Sequence, residues 1–241
     1  VKGVGEGAVE AIVNERKEGK YTAFDDFVKR VDLRSANKRT IESMVCSGGF
    51  DSFELKRSQY FSEEDSGQTY LEKMIKFGNK VKDSANSNQF DMFDESVEAT
   101  IQAPVPEETV VWSTMELLSK EKDVVGIYIS GHPLDDYKVE MDNFCNGNLS
   151  MLNDLQKING KKLRFAGVVT KVEHRETKTG KPFGVLHIED YYDSFSFYLF
   201  SDDYINFKAY LTIGWLLHLS GKVKKRFYND DLEFKISSIY L

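Results

Sequence analysis

The segment LRFAGVVTKVEH, residues 163–174, decides how the C-terminal part of this chain folds. Its apolar residues recur with a period close to two, which predicts a β-strand. Four later segments follow the same pattern: FGVLHIED (183–190), SFSFYLF (194–200), WLLHLSGKVKK (215–225) and LEFKISSIY (232–240). A segment with helical spacing, SDDYINFKAYL (201–211), separates the third strand from the fourth, and Ser201 is placed to cap it.

Three strands, a helix and two further strands within about 80 residues are the order of an OB-fold, a five-stranded Greek-key barrel. We therefore assign residues 155–241 to an OB-fold domain. Because side chains alternate along a strand, the third strand should bury Phe195, Phe197 and Leu199. The same alternation should turn Ser194, Ser196 and Tyr198 toward the ligand side.

The first third of the chain has helical spacing instead. A helix should follow the glycines of VKGVGEGAVEAI (1–12) and end near Gly19. In YTAFDDFVKRVD, Thr22 is placed to cap a second helix, with Asp25 completing a capping box. In NKRTIESMVCSGGFDSF (37–53), Asn37 can cap a third, which Gly48 and Gly49 should end. The fold class is therefore α+β and multidomain, with an all-α N-terminal region of tandem helix-hairpin-helix character over 1–82.

Two segments join these regions. Residues 83–110 are rich in Ser, Asn, Glu and Pro, which predicts an acidic linker with little apolar surface to bury. Residues 111–154 are predicted to form a helical connector, interrupted by ISGHPLDDY (129–137), where Gly131 and Pro133 favour a turn.

The charge is distributed unevenly along the chain. The net charge is −7, but residues 1–57 carry +1, residues 58–160 carry −11 and residues 161–241 carry +3. The acidity therefore belongs to the middle, and both ends are mildly basic. No apolar run is long enough to span a bilayer, so no membrane partner is expected. The start V-K-G, without Met or signal peptide, suggests a piece of a longer cytoplasmic protein.

The glycines at the N-terminus could bring backbone amides to a DNA phosphate. Glycine allows a sharp turn and a close approach, and a helix N-terminus favours an anion. The alternative is a glycine-rich turn that only packs, and the twelve residues alone do not decide. The basic start of the third helix favours phosphate binding. The candidate residues are Lys2, Gly3, Val4, Gly5, Gly7, Lys38 and Arg39.

The barrel combines cations and aromatic rings near two of its loops. This combination holds single-stranded nucleic acid, since cations follow the phosphates and rings stack on the bases. The alternative is that most rings are core and the lysines are a solvated rim. This alternative is the better interpretation for any single ring, whereas binding is the better interpretation for the face as a whole. The candidate residues are Arg175, Lys178, Lys181, Phe183, Tyr198, Lys222, Lys224, Arg226 and Phe227.

The linker contains QFDMF, residues 89–93. A polar Gln89 followed by Met92 and Phe93 has the form of a short motif that enters a partner's pocket. The alternative is that these side chains pack back onto the helices.

Nothing in the sequence indicates catalysis. Cys46 and Cys145 lack the spacing of a metal site, and a buried free thiol is the preferred interpretation of each. His132 precedes a proline with no nucleophile nearby and is assigned a structural role. No Asp-x-Asp pair suited to two divalent metals is found. We therefore assign no catalytic residue, no metal and no cofactor to this chain.

Four segments in order give the chain a specific resemblance: KGVGEGAVEAIV (2–13), NKRTIESMVCSGGFDSF (37–53), QFDMF (89–93) and VVGIYISGHPLDDY (124–137). Together with the barrel that follows, they resemble the C-terminal region of the alpha subunit of bacterial DNA polymerase III. The resemblance implies that 1–57 grips duplex DNA and that the barrel contacts single-stranded template. It also implies that Gln89, Met92 and Phe93 enter the pocket of the sliding clamp.

The resemblance implies that the family's other parts lie outside this sequence. These parts are the palm with its metal-binding aspartates, the fingers and the C-terminal loader-binding domain, and the preceding helix of the first hairpin is expected outside it as well. The resemblance implies a DNA-directed DNA polymerase whose divalent metals belong to the absent site, acting in the cytoplasm with the rest of the holoenzyme. Two alternatives stay open: the DNA-binding region of a repair nuclease, ligase or helicase, and an OB-fold protein-interaction module without a DNA role.

Overall fold

The computed structural model describes residues 1–63, 67–87, 102–226 and 231–241, with 85–87 described by their backbone alone. The chain divides into two compact units, Val1–Ser130 and Gly131–Leu241. The boundary falls inside the predicted connector 111–154. No helix among the described residues is both long and apolar enough to cross a membrane.

The first unit is helical, as predicted. Its α-helices are α1 (Glu6–Lys17), α2 (Phe24–Arg30), α3 (Lys38–Cys46), α4 (Tyr70–Ser87) and α5 (Thr114–Val125). A 3₁₀ helix, Arg57–Phe61, lies between α3 and α4. Helix α4 continues five residues past the predicted start of the linker, and residues 102–113 carry no helix or strand.

One of the two predicted caps in this unit is confirmed and the other is wrong. The Asn37 side chain accepts a hydrogen bond from the Thr40 amide at 3.1 Å and caps α3. The N-cap of α2 is Ala23, because Thr22 lies one residue too early and directs its amide to Asp26 Oδ2 at 2.9 Å instead. Asp25, the predicted partner, pairs with Lys29 at 2.8 Å.

Aromatic side chains fill the core of the first unit. Phe24 and Tyr60 meet edge to face with ring centroids 4.8 Å apart, and Phe27 meets Phe50 at 4.9 Å. Helix α4 lies so close to α2 that a Cβ at Gly78 would come within 2.5 Å of the Val28 carbonyl oxygen. The approach of the two backbones therefore requires glycine at this position.

The second unit contains the five predicted strands. They are β1 (Lys162–Glu176), β2 (Pro182–Glu189), β3 (Ser194–Phe200), β4 (Leu216–Lys225) and β5 (Leu232–Tyr240). All neighbours are antiparallel in the order β3-β2-β1-β4-β5, with β1 in the centre. The pairing of β1 with β2 shifts between Val169 and Lys171, and a bulge of this kind bends a strand.

The sheet is curved around one core. Phe197 on edge strand β3 and Phe234 on the opposite edge strand β5 have ring centroids 6.2 Å apart. Phe165 of central β1 lies 6.0 and 5.5 Å from these two rings. The two edges therefore meet through side chains, although no hydrogen-bonded ladder joins β3 to β5 within the described ranges. This architecture confirms the predicted OB-fold, with the barrel not closed by hydrogen bonds.

The second unit also contains two short α-helices, one before the first strand and one between the third and fourth strands. Helix α6 (Lys138–Phe144) precedes β1, and α7 (Ser201–Phe207) follows β3. The prediction that Ser201 caps α7 is wrong: the N-cap is Phe200, and Ser201 is the first helical residue, with φ of 47°. Helix α7 therefore begins directly after the last residue of β3, one residue earlier than the sequence predicted.

Candidate nucleic-acid interface

The N-terminal glycines form a tight turn against α3. Gly3 has φ of 84°, a conformation that favours glycine, and a Cβ there would lie 2.9 Å from Ser43 Oγ. The Thr40 hydroxyl donates to the Gly3 carbonyl at 3.1 Å. The Lys2 amide donates to the Val124 carbonyl of α5 at 2.7 Å. The turn is therefore fixed on both sides before α1 begins.

The first turn of α1 is open to solvent. Gly5 is the N-cap, and Gly5, Glu6 and Gly7 are all exposed. A Cβ at Gly5 or Gly7 would have no other atom within 4 Å. In the described part of the chain, no hydrogen bond occupies the amides of Glu6 and Gly7, so these donors can face an anion. The Glu6 carboxylate, in the same turn, opposes an anion there.

The cations predicted for this site lie in different surroundings. Arg39 is exposed and its Nε lies 3.5 Å from the position of a Cβ on Gly3. Lys38 points to α4, where its Nζ lies 2.6 Å from a Glu72 oxygen. This hydrogen bond raises the pKa of Lys38. The structure therefore brings Arg39 to the glycine turn and directs Lys38 into an ion pair. Lys2 is exposed and Val4 is half-buried.

An ion cluster built around the buried residues Arg57 and Glu121 supports this unit, and the sequence analysis missed it. Arg57 donates to both Asp51 oxygens at 2.8 and 2.6 Å, and to Glu121 Oε1 at 3.2 Å. Glu121 is fully buried and accepts hydrogen bonds from Ile129 and Ser130. We call these residues the Arg57 cluster. It ties the segment 129–130 to α5 and the 3₁₀ helix. Arg57 and Glu121 are 64 positions apart in the sequence, so no local pattern revealed the cluster.

His132 takes part in a closed turn. Its Nδ1 accepts from the Leu134 amide at 3.2 Å, and its ring lies 4.2 Å from that of Tyr191. The Tyr191 hydroxyl donates to Asp135, which also accepts from the His132 amide. That amide, together with the Tyr191 hydroxyl, lowers the pKa of Asp135. The polar atoms named here are therefore partnered within the turn at residues 132–135 or with Tyr191, which favours a structural role for His132.

The outward side of β1, β2 and β3 carries an open aromatic surface. The register aligns Arg175 with Phe183 and Phe183 with Phe200, so these three residues form one row across the strands. Phe183 and Phe200 stack with centroids 4.9 Å apart. Tyr198, two residues along β3, lies 6.4 Å from Phe200 with the ring planes 11° apart. We call Phe183, Tyr198 and Phe200 the aromatic platform.

The platform is accessible. Tyr198 is 59% exposed and Phe200 is 49% exposed, whereas Phe197 and Leu199 between and beside them are buried. The predicted alternation of β3 is therefore confirmed for Phe197, Tyr198 and Leu199, whereas Phe195, predicted to be buried, is half-buried. Nearly parallel exposed rings can take nucleobases, and such stacking contributes about 1–3 kcal/mol per base.

Cations surround the platform. Arg175 and Lys171 lie on the same side of β1, and both are exposed. Lys178 and Lys181, in the loop between β1 and β2, are exposed as well. Glu173 lies between Lys171 and Arg175 on β1 and forms ion pairs with both. The surface is therefore basic, with one carboxylate at its centre.

The predicted β4 residues belong to another part of the sheet. Lys222 pairs with Lys162 of β1 and Lys235 of β5, at the opposite end of β1 from Arg175. Lys222 and Lys224 are exposed, and Arg226 pairs with Glu233 at 3.2 Å. Phe227 lies outside the described residues.

Three residues of this surface were not predicted, and three predicted residues of the linker lie outside the described ranges. Sequence reasoning did not select Phe200, Lys171 or Glu173. The alternation of Phe200 with buried Leu199 is a signal that identifies it, whereas the stretch of β1 around Lys171 and Glu173 shows no such alternation. Gln89, Met92 and Phe93 lie outside the described residues. Within the described ranges, no group of three or more His, Cys, Asp or Glu side chains could hold a metal ion.

Two family models match the chain. The model for the helix-hairpin-helix motif matches residues 1–60, and the model for the OB-fold nucleic acid binding domain matches residues 163–241. The first covers the glycine turn and Arg39, and the second covers the aromatic platform.

The chain is similar to curated DNA polymerase III alpha subunits. It is 32% identical to that of Borreliella burgdorferi over 92% of this chain and 19% of the relative. The subunit of Neisseria meningitidis serogroup A is 35% identical over 79% of this chain and 15% of the relative. That of Pseudomonas fluorescens is 26% identical over 99% and 21%. The chain thus spans about a fifth or less of the length of these relatives.

A solved structure, RecG bound to a three-way DNA junction, matches with a TM-score of 0.26 and 13% identity. The match covers 93% of this chain and 30% of that one. A likeness this weak supports no argument.

Proposed function

This chain is a homologue of the C-terminal part of bacterial DNA polymerase III alpha subunits, and we propose on that premise that it is a DNA-holding region of a replicative polymerase. In this proposal the complete protein is a DNA-directed DNA polymerase of the cytoplasm, whose divalent metals bind in a part of the subunit outside this chain. The region itself keeps the primer–template in place for synthesis.

Single-stranded template DNA is the ligand that we propose for the second unit. The observation that carries this proposal is the aromatic platform, three rings of β2 and β3 that stack in the open beside Arg175. Large aromatic side chains are usually packed in the protein core. Tyr198 and Phe200, by contrast, are 59% and 49% exposed. Rings in solvent next to cations suit the bases and phosphates of one strand.

Fluorescence anisotropy of a labelled oligo-dT with the 241-residue chain tests this proposal. Replacing both Tyr198 and Phe200 by alanine should weaken binding by about tenfold or more, because each lost base stack is worth about 1–3 kcal/mol. Tyr240→Ala is the matched control, since Tyr240 is 57% exposed but lies on β5. Binding should also weaken as salt rises. Absence of binding at low salt would favour a protein-interaction barrel instead.

Duplex DNA is the ligand that we propose for the first unit. The exposed amides at the start of α1 can donate to a backbone phosphate without reading sequence, and Arg39 lies beside the same turn. The ion pair between Lys38 and Glu72 leaves Arg39 and Lys2 as the main cations for this contact.

The sliding clamp is the proposed partner of QFDMF. This proposal rests on the sequence of residues 89–93, which lie outside the described residues, and on the curated relatives being alpha subunits of DNA polymerase III. A clamp tether would raise the local concentration of this region at the primer end, so each DNA contact can be weak.

A further inference from the structure

The centre of the proposed single-strand surface is a carboxylate. Glu173 lies on β1 opposite Val185, with Lys171 and Arg175 two residues away on either side and on the same face. Its side chain is 16% exposed, whereas those of Lys171 and Arg175 are 63% and 58% exposed. The Glu173 carboxylate is therefore mostly buried between Lys171 and Arg175, whose side chains extend into solvent.

Both oxygens of this carboxylate are engaged. Oε1 lies 2.5 Å from Lys171 Nζ and 3.6 Å from His187 Nε2, and Oε2 pairs with Arg175 Nη2. The hydrogen bond from Lys171 lowers the pKa of Glu173; burial opposes this shift, and the charge of Arg175 reinforces it. Glu173 is therefore ionised at neutral pH.

Lys171 and Arg175 are also the cations placed to contact the phosphates of a strand bound on this surface. Arg175 shares a cross-strand row with Phe183 and Phe200, and Val185, opposite Glu173, shares the adjacent row with Tyr198. A strand whose bases stack on the aromatic platform carries its phosphates along this face. Carboxylate and phosphate oxygens accept from the same N–H donors, so the two compete.

We propose that Glu173 is an internal competitor of the nucleic-acid phosphate, which holds Lys171 and Arg175 in place and lowers the affinity of this surface for single strands. The inference rests on the proposed single-strand binding. With Glu173 ionised, the three charged residues sum to +1, and without its charge they sum to +2. A region that must release template at every step of synthesis benefits from this reduced affinity.

Removing the charge tests the inference. Glu173→Gln keeps the shape of the side chain but ends both ion pairs. With oligo-dT and the 241-residue chain, we expect an affinity gain of about threefold or more, given the range measured for exposed ion pairs. The plot of log affinity against log salt should steepen by about 0.7 for each new phosphate contact.

Asp154→Asn is the matched control. Asp154 pairs with Lys157 at 2.8 Å, and both residues precede β1. The variant therefore makes the same change in net charge, but the lysine that loses its partner lies outside β1, β2 and β3. It should leave the affinity unchanged. An equal gain in both variants would mean that overall charge, not competition at the platform, sets the affinity, and would overturn the inference.

A double-mutant cycle separates competition from other effects. In a chain that already carries Lys171→Gln and Arg175→Gln, the change Glu173→Gln should give no gain, because no cation remains to be released. A persisting gain contradicts the inference, and so does an affinity that falls in the single variant although its thermal unfolding is unchanged.

The failure of the inference can be told from that of the proposed function. If the wild-type chain binds oligo-dT and Glu173→Gln binds no more tightly, the competitor role is wrong and the binding surface stands. If neither protein binds at low salt, single-strand binding and the competitor role are both wrong.

Discussion

At the scale of single residues, close contacts decide what the sequence allows. Gly78 and Gly7 are both helical glycines, yet a Cβ at Gly78 would lie 2.5 Å from the Val28 carbonyl oxygen, whereas one at Gly7 would meet nothing within 4 Å. The sequence alone does not distinguish these two positions, because the difference arises from the packing of α4 on α2.

This contrast gives a stability prediction. Gly78→Ala should lower the free energy of unfolding of the first unit by about 1–3 kcal/mol, because the helices must move apart. Gly7→Ala should raise it by about 0.5 kcal/mol, because alanine loses less backbone entropy in a helix. Urea unfolding followed by circular dichroism measures both. A Gly78→Ala chain as stable as the wild type would contradict the described packing.

Arg39 gives a binding prediction. Arg39→Gln should weaken the binding of duplex DNA and reduce the slope of log affinity against log salt by about 0.9, the loss of one phosphate contact. Arg34→Gln, at another exposed arginine of the same unit, is the control. Anisotropy with a labelled duplex provides the measurement. Equal effects of both variants would argue against a local contact at the glycine turn.

At the scale of elements, apolar periodicity predicted whether a segment forms a helix or a strand better than it predicted the residues at which helices begin. All five strands and the helical character of the first unit followed from apolar spacing, and Asn37 was found as a cap. Thr22 and Ser201 were each placed one residue from the true position, because a suitable side chain identifies a turn but not the residue at which helical geometry starts. The alternation of β3 predicted Tyr198, while its stacking with Phe200 depends on register.

The Arg57 cluster gives a pH prediction. Burial opposes ionisation of Glu121, but the hydrogen bonds from Ser130 and Ile129 and the pairing with Arg57 outweigh it, so its pKa lies below the usual 4.5. A lowered pKa in the folded state stabilises the fold above pH 4.5, and this stabilisation is lost as the pH falls through the folded value. Arg57 and Asp51 face the same cluster.

Glu121→Gln should therefore cost about 3 kcal/mol at pH 7, because it leaves Arg57 partly unpaired in the interior. Below pH 4.5 the variant should lose less further stability than the wild type, since one titrating group is gone. Glu10→Gln, at an exposed position of α1, should follow the wild-type curve. Parallel pH profiles of wild type and Glu121→Gln would show that this carboxylate is not held ionised by the cluster.

At the scale of the whole molecule, the proposed function combines weak DNA contacts with a proposed clamp tether. Some cations of the basic surfaces are neutralised within the described residues: Lys38, Arg226, Lys171 and Arg175 all have acidic partners. The ordered set of sequence segments predicted the family. The acidic partners of Lys38 and Arg226 lie on other elements, so no local pattern revealed them. Glu173 lies two residues from both Lys171 and Arg175, but its pairing with them depends on the three residues sharing one face of β1.

The tether gives a prediction for the complete chain. Replacing Met92 and Phe93 by alanine should abolish binding to the sliding clamp and leave the thermal unfolding of the OB-fold domain unchanged. Surface plasmon resonance with immobilised clamp, and a melting curve, provide the two measurements. Val110→Ala, at an exposed apolar residue of the predicted linker, is the control. Unchanged clamp affinity in the double variant would contradict the assignment of QFDMF as the clamp-binding motif.

The most direct test of the central claim locates the single strand on the protein. An oligo-dT carrying photoreactive 4-thiothymidines is irradiated with the 241-residue chain, and the crosslinked peptides are sequenced by mass spectrometry. If the single strand binds the aromatic platform, crosslinks should form to the peptides that carry Phe183, Tyr198 and Phe200, and unlabelled strand should compete them away. Crosslinks confined to other parts of the chain would contradict single-strand binding on the aromatic platform.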